Sequence, residues 1–282
     1  MYKTIRICGL IAFMYFLWTS CKKDKADYRL LAEESAIAES VSEDVFKVVD
    51  HESKNGQYND QVGKTSYTYL SSLDTCAVVT LNTTAGGFPM TLSIDFGSGC
   101  TDMYGTVRKG VIQCVFKGPY SQAGDSVIVS TDNYYVNNYR LDGTHIIVNK
   151  GRNGNGHLEF SVDVNGTITK PNGGIISWQS TRTNVWVAGE DTKWVPLGWL
   201  SVCDDIYEIT GYGTGVTSDG HTFRLDITQP LVKKICCYWL VQGKVAMQVD
   251  GTHVADIDYG DGTCDMTATL TYGGNTYVVV IQ

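Results

Sequence analysis

The chain has 282 residues, of which 43% are hydrophobic and 18% charged, with 30 Gly and 17 Tyr. That is ample material for a core and excludes global disorder, and the Gly and aromatic content belongs to strands and turns rather than to a helical bundle. A formal charge of −8 repels a phosphate backbone, which argues against nucleic acid as a partner.

Residues 1–20 read as a signal peptide: Lys3 and Arg6, then an apolar run from Ile7 to Trp18, then the small Thr19 and Ser20. As a helix that run rises about 18 Å at 1.5 Å per residue, short of the roughly 30 Å of a hydrocarbon core. Once Lys3 and Arg6 are removed, 20 basic side chains face 30 acidic ones, a net charge of −10. Leu17-Trp18-Thr19-Ser20-Cys21 resembles the lipobox of bacterial lipoproteins, with Trp18 departing from the usual Leu. The resemblance implies a diacylglyceryl group on the Cys21 thiol. The chain would then be held to a membrane of the cell envelope, the outer membrane, by its lipid, with the periplasmic or surface face open. Lys22 to Lys25 would be a hydrophilic spacer.

Residues 21–64 form the expected tether. From Asp27 to about Lys54, Leu30, Leu31, Ile37, Val41, Val45, Phe46 and Val49 recur at three-to-four spacing, which predicts an amphipathic helix packing on the domain behind it. Ser53 to Lys64 is polar and turn-rich and reads as a linker.

From residue 65 to 282 the period becomes two. Leu158, Phe160, Val162 and Val164 alternate with polar residues, as do Phe223, Leu225 and Ile227, and Val245, Met247 and Val249. Asp142-Gly143, Asn165-Gly166, Asp219-Gly220 and Asp250-Gly251 tolerate positive φ and are candidate hairpin tips. About fourteen such strands exceed one flat sheet. The expected fold is therefore mainly β, an antiparallel, β-sandwich-like domain of two packed sheets with an N-terminal helix after the lipid anchor. Ala188 to Asp204 breaks the rhythm and reads as a long loop.

Two stretches repeat. Ile94-Asp95-Phe96-Gly97-Ser98-Gly99-Cys100 is echoed by Ile257-Asp258-Tyr259-Gly260-Asp261-Gly262-Thr263-Cys264, with an earlier cysteine at Cys76 and at Cys237. Two related units follow, at about 75–117 and 236–281. Cysteines of an exported chain are expected to oxidise, which makes Cys76 with Cys100, and Cys264 with Cys236 or Cys237, the candidate bridges. Seven cysteines follow Cys21, so one thiol is left over, Cys114 or Cys203 being candidates. These runs, with Phe88-Pro89, Arg108-Lys109-Gly110 and the Asp132 to Asn137 stretch, make the chain resemble uncharacterised lipoproteins of Bacteroidetes-type bacteria. The resemblance implies export and a β fold and brings no activity.

Five scattered His residues lack zinc-ligand spacing. Asp256, Asp258, Asp261 and Asp265 flank two glycines and offer hard oxygen ligands for calcium. No nucleophile elbow or phosphate loop occurs. Trp186, Trp194 and Trp199, with Tyr134, Tyr135 and Tyr139, are surfaces of the kind that stack sugars or anchor proteins. The sequence thus points to a non-catalytic binding or structural module taking a glycan or protein ligand, and secondarily to a carbohydrate-active hydrolase with dispersed acids.

Overall fold

The computed structural model describes residues 28–58, 66–71, 76–84, 87–102, 105–191, 203–237 and 239–280. Among the described residues one helix, α1 (Tyr28–Tyr58), precedes β1 (Ser66–Leu70), β2 (Val78–Thr83), β3 (Met90–Asp95), β4 (Cys100–Thr101) and β5 (Val107–Phe116). Long strands follow: β6 (Ser126–Val136), β7 (Tyr139–Arg152), β8 (Leu158–Thr169), β9 (Ile175–Ala188), β10 (Ile206–Val216) and β11 (Thr222–Lys234). The chain closes with β12 (Leu240–Val249), β13 (Thr252–Asp261), β14 (Thr267–Tyr272) and β15 (Asn275–Val280). No described helix is long and apolar enough to cross a membrane.

The mainly antiparallel β fold with its N-terminal helix matches the sequence reading. The layers differ from it: all fifteen described strands belong to one sheet, each pairing with the next in the chain, with the short β4 alone off that path. What replaces the second sheet is α1. From Asp44 to Ser53 every residue of the helix is buried, so this stretch of α1 has no solvent face, whereas Glu33 nearer its start is exposed. An apolar stripe explains one side of it, Val41, Val45, Phe46, Val48 and Val49 entering the core. The remaining sides carry acids, of which Glu34, Glu39, Asp44, Asp50 and Glu52 find partners on the sheet.

The sheet must curl to do this. Strands lie about 4.8 Å apart, so in a flat sheet β1 and β12 would stand roughly 48 Å apart. Yet Tyr69 of β1 donates to Glu52 of α1 at 3.0 Å, and Ser35 of α1 reaches Met247 of β12 at 3.7 Å. Bulges help to bend the strands. At one, Gly110 (φ +84°) opposes Asn133, whose carbonyl oxygen would lie 2.0 Å from any added Cβ.

Asp219-Gly220 and Asp250-Gly251 sit at hairpin tips as read. Asp142-Gly143 and Asn165-Gly166 do not: they lie inside β7 and β8, Gly143 paired with Gly166. A Cβ on Gly143 would come 2.7 Å from the Asn165 oxygen, so these glycines allow two long strands to approach closely rather than to turn.

Both repeat units are hairpins closed at the base. Cys76 bridges to Cys100 around β2 and β3, and Cys237 bridges to Cys264 around β12 and β13. In each, the Asp carboxylate accepts the backbone N–H two residues on, Asp95 from Gly97 at 2.7 Å and Asp258 from Gly260 at 3.0 Å. Cys236 is joined instead to Cys203, and among the described cysteines Cys114 is the free thiol, which is buried.

Candidate functional site

Inside the curl, the acids of α1 meet donors from around the sheet. Glu34 is held by Lys170 and by the backbone and hydroxyl of Ser218, at 2.8 and 2.6 Å. Glu39 pairs with Arg182. Asp44 takes Arg108 through Nε at 2.8 Å and also through Nη2, and the Tyr134 hydroxyl at 2.9 Å. Asp50 accepts from Tyr120 at 3.1 Å and Tyr207 at 3.0 Å. Burial, and next the Asp50 carboxylate, push both phenols well above their ordinary range. Burial alone would raise the Asp44 carboxyl, but the Arg108 guanidinium outweighs it and holds it below the carboxylate range, aided by Lys47 and Tyr134. Burial, with Glu39, pushes Glu43 up to about 7, and burial, with Lys47, pushes Lys233 down to about 7. This polar interior fixes the helix in the sheet. We assign it to the fold.

The outer face is organised differently. The pairing register aligns Thr68, Thr80, Ser93, Gln113, Ser130 and Thr144 across β1 to β7. The same row continues through Asn165, Gln179, Thr214, Arg224, Gln248 and His253 of β8 to β13. None of these side chains is buried. At strand spacing the row runs on the order of 50 Å, and no charge interrupts it before Arg224. Neighbours bond along it: Gln113 donates to Ser93 at 2.9 Å, and Thr68 and Thr80 lie 3.3 Å apart.

Where the row crosses β9 to β12 the surface opens into a groove of about 450 Å³ lined by Ser177, Gln179, Thr214, Gly215, Arg224 and Gln248, among others. Beneath it the Trp178 and Phe223 rings stack 5.8 Å apart. Gly215 is required there, because a Cβ would lie 2.5 Å from Phe223 and 2.3 Å from the Ser177 oxygen. The Arg224 guanidinium lies 4.2 Å from the Tyr212 ring centroid, and its Nε donates to Asp226 at 2.9 Å. No carboxylate lines the groove among the described residues. The pattern of small and amide polar residues on alternate positions was visible in the sequence, but the register that aligns them was not.

Trp186 is half-buried at the other end of β9, stacked on Tyr207 with its indole N–H on Asp205 at 3.1 Å. Tyr134 is fully buried, Tyr135 lies under Lys109, and Tyr139 is half-buried. Cys21, Trp194 and Trp199 lie outside the described residues. The four calcium candidates do not converge: Asp256 meets His253, Asp258 meets Gly260 and Lys244, Asp261 binds Thr263, and Asp265 binds Thr267. No group of three or more potential metal ligands exists among the described residues. Asp258, Asp261 and Asp265 each accept the backbone N–H two residues on, as Asx side chains do when they mimic a backbone turn. Compared with known families, curated proteins and solved structures, the chain matches none.

Proposed function

We propose that this is an exported, lipid-anchored, non-catalytic binding module of the cell envelope that takes a neutral, polyhydroxylated ligand such as a glycan on its outer face. The observation that carries the reading is the polar row, uncharged from Thr68 as far as Thr214, that opens into the Gln179, Thr214, Arg224 and Gln248 groove. Hydroxyl and amide side chains both donate and accept, as sugar hydroxyls do, and a concave site with a few converging polar groups is where small ligands settle. A lone Arg already paired with Asp226 is a poor phosphate trap. Three bridged cysteine pairs support an oxidising compartment, and the Leu17 to Cys21 run supports lipidation.

A glycan array followed by titration calorimetry tests the reading. Binding with the ligand recovered intact is the expected result. Released product would instead make the chain the dispersed-acid hydrolase, and no binding to any neutral glycan would remove the reading. For the anchor, metabolic labelling with a fatty-acid analogue should be lost in Cys21→Ser.

A further inference from the structure

Among the described residues, β15 lies at one edge of the sheet with nothing covering it. It carries no charge, no proline and no bulge over Asn275–Val280, the devices by which edge strands are kept from pairing. Val278, Val280 and Tyr277 are 76%, 58% and 49% exposed. Its register on β14 puts Tyr277 opposite Leu270 and Val279 opposite Ala268, so these two share the core face, and Thr276, Val278 and Val280 the other.

We infer that β15 pairs with β15 of a second copy, antiparallel, about a two-fold axis through Val278. That register sets Val278 against Val278 of its twin and Thr276 against Val280 on the outer side. On the inner side it sets Tyr277 against Val279, continuing each core past its edge. An isologous contact asks a surface to complement itself, and a strand with no charge meets itself without repulsion even in a chain of net charge −8. The ends decide the direction. Asp261 and Asp265 lie beside the Val280 end, since Thr267, two residues beyond Asp265, pairs with Val280. The opposite end is the neutral Gly273-Gly274 turn. Antiparallel pairing places the acids of one copy against the glycine turn of the other, whereas parallel pairing would set acids side by side. Six residues make a small contact, so association is weak and concentration-dependent.

Sedimentation of the purified protein over a wide concentration range should show mass rising from one copy to two. Val278→Lys with Val280→Lys should stay monomeric at every concentration with an unchanged melting temperature, both side chains being exposed. Val278→Cys should form a covalent dimer on mild oxidation. A monomer throughout, or a dimer that the lysine pair leaves intact, overturns the inference. So does oxidative crosslinking of Val278→Cys to Leu70→Cys on another copy in preference to itself, which would mean head-to-tail pairing of β15 with β1.

Discussion

Asp44 of α1 and Arg108 of β5, 64 residues apart in the chain, form a forked ion pair in which the guanidinium side chain has no exposure to water. A second carboxylate, Asp102, takes Nη1 at 2.9 Å. Two charges taken out of water contribute little net stability as a pair, but removing one leaves the other stranded.

Asp44→Ala should therefore cost about 3–5 kcal/mol in urea unfolding. Replacing the whole set, Asp44→Leu with Arg108→Met and Asp102→Asn, should recover much of that loss, because the interior then holds neither an uncompensated cation nor a stranded carboxylate. If the triple variant is as unstable as the sum of its singles, the set does not act as a unit.

His145 gives a pH signature. It is buried on β7, and neither ring nitrogen has a hydrogen-bond partner; burial pushes its pKa down to about 4. The folded imidazole stays neutral where the unfolded one, near 6.5, takes a proton. Stability is thus intact above the unfolded value and falls as pH drops toward the folded one. The loss reaches about 3 kcal/mol, since each tenfold difference in proton affinity between the two states is worth about 1.36 kcal/mol. His145→Leu should flatten that part of the stability curve. An unchanged acid limb in the variant would place the acid sensitivity elsewhere.

The mainly β fold, the helix position and two of three bridges were legible because each is written locally: period two, period 3.6, and a repeated Cys-hairpin. The wrapped topology was not. Glu34, Glu39, Asp44, Asp50 and Glu52 look like the solvent face of an amphipathic helix, and their partners Lys170, Arg182, Arg108, Tyr207 and Tyr69 sit far away along the chain on strands whose own polarity reads as an outer face. A buried salt bridge looks in sequence like two exposed charges. Asp142-Gly143 misled for a similar reason: Gly serves a hairpin tip and a close strand crossing equally well, and sequence does not separate them.

The cysteines offer a covalent check. Non-reducing peptide mapping should link Cys76 to Cys100, Cys203 to Cys236 and Cys237 to Cys264. Cys114 should resist alkylation until the protein unfolds, because burial and then the Glu52 carboxylate hold its thiol far above the ordinary range. Each loop closed, of 24, 33 and 27 residues, is long enough that reduction should cost roughly 3 kcal/mol in the chain-entropy model. Rapid native-state labelling of Cys114 would mean that the core around β5 opens.

Binding at the groove separates from stability by design of the variants. Arg224 and Gln179 are solvent-accessible, and losing Arg224 leaves Asp226 at the surface with Gln248 still 3.3 Å away, so Arg224→Ala and Gln179→Ala should leave the melting temperature almost unchanged. If a glycan hydrogen-bonds to them, each should weaken its affinity by about 1–3 kcal/mol, the larger value for the charged donor. Trp178→Ala is the opposite control: that ring lies under the groove, 1% exposed against Phe223, and its removal should cost about 3–5 kcal/mol of stability. Calorimetry and melting curves on the three variants decide the matter together. Affinity lost without stability in the two surface variants places the ligand on the row. Affinity unchanged there but lost in Trp199→Ala would place it in the segment between β9 and β10, and the groove would then be no more than the polar exterior of an antiparallel sheet.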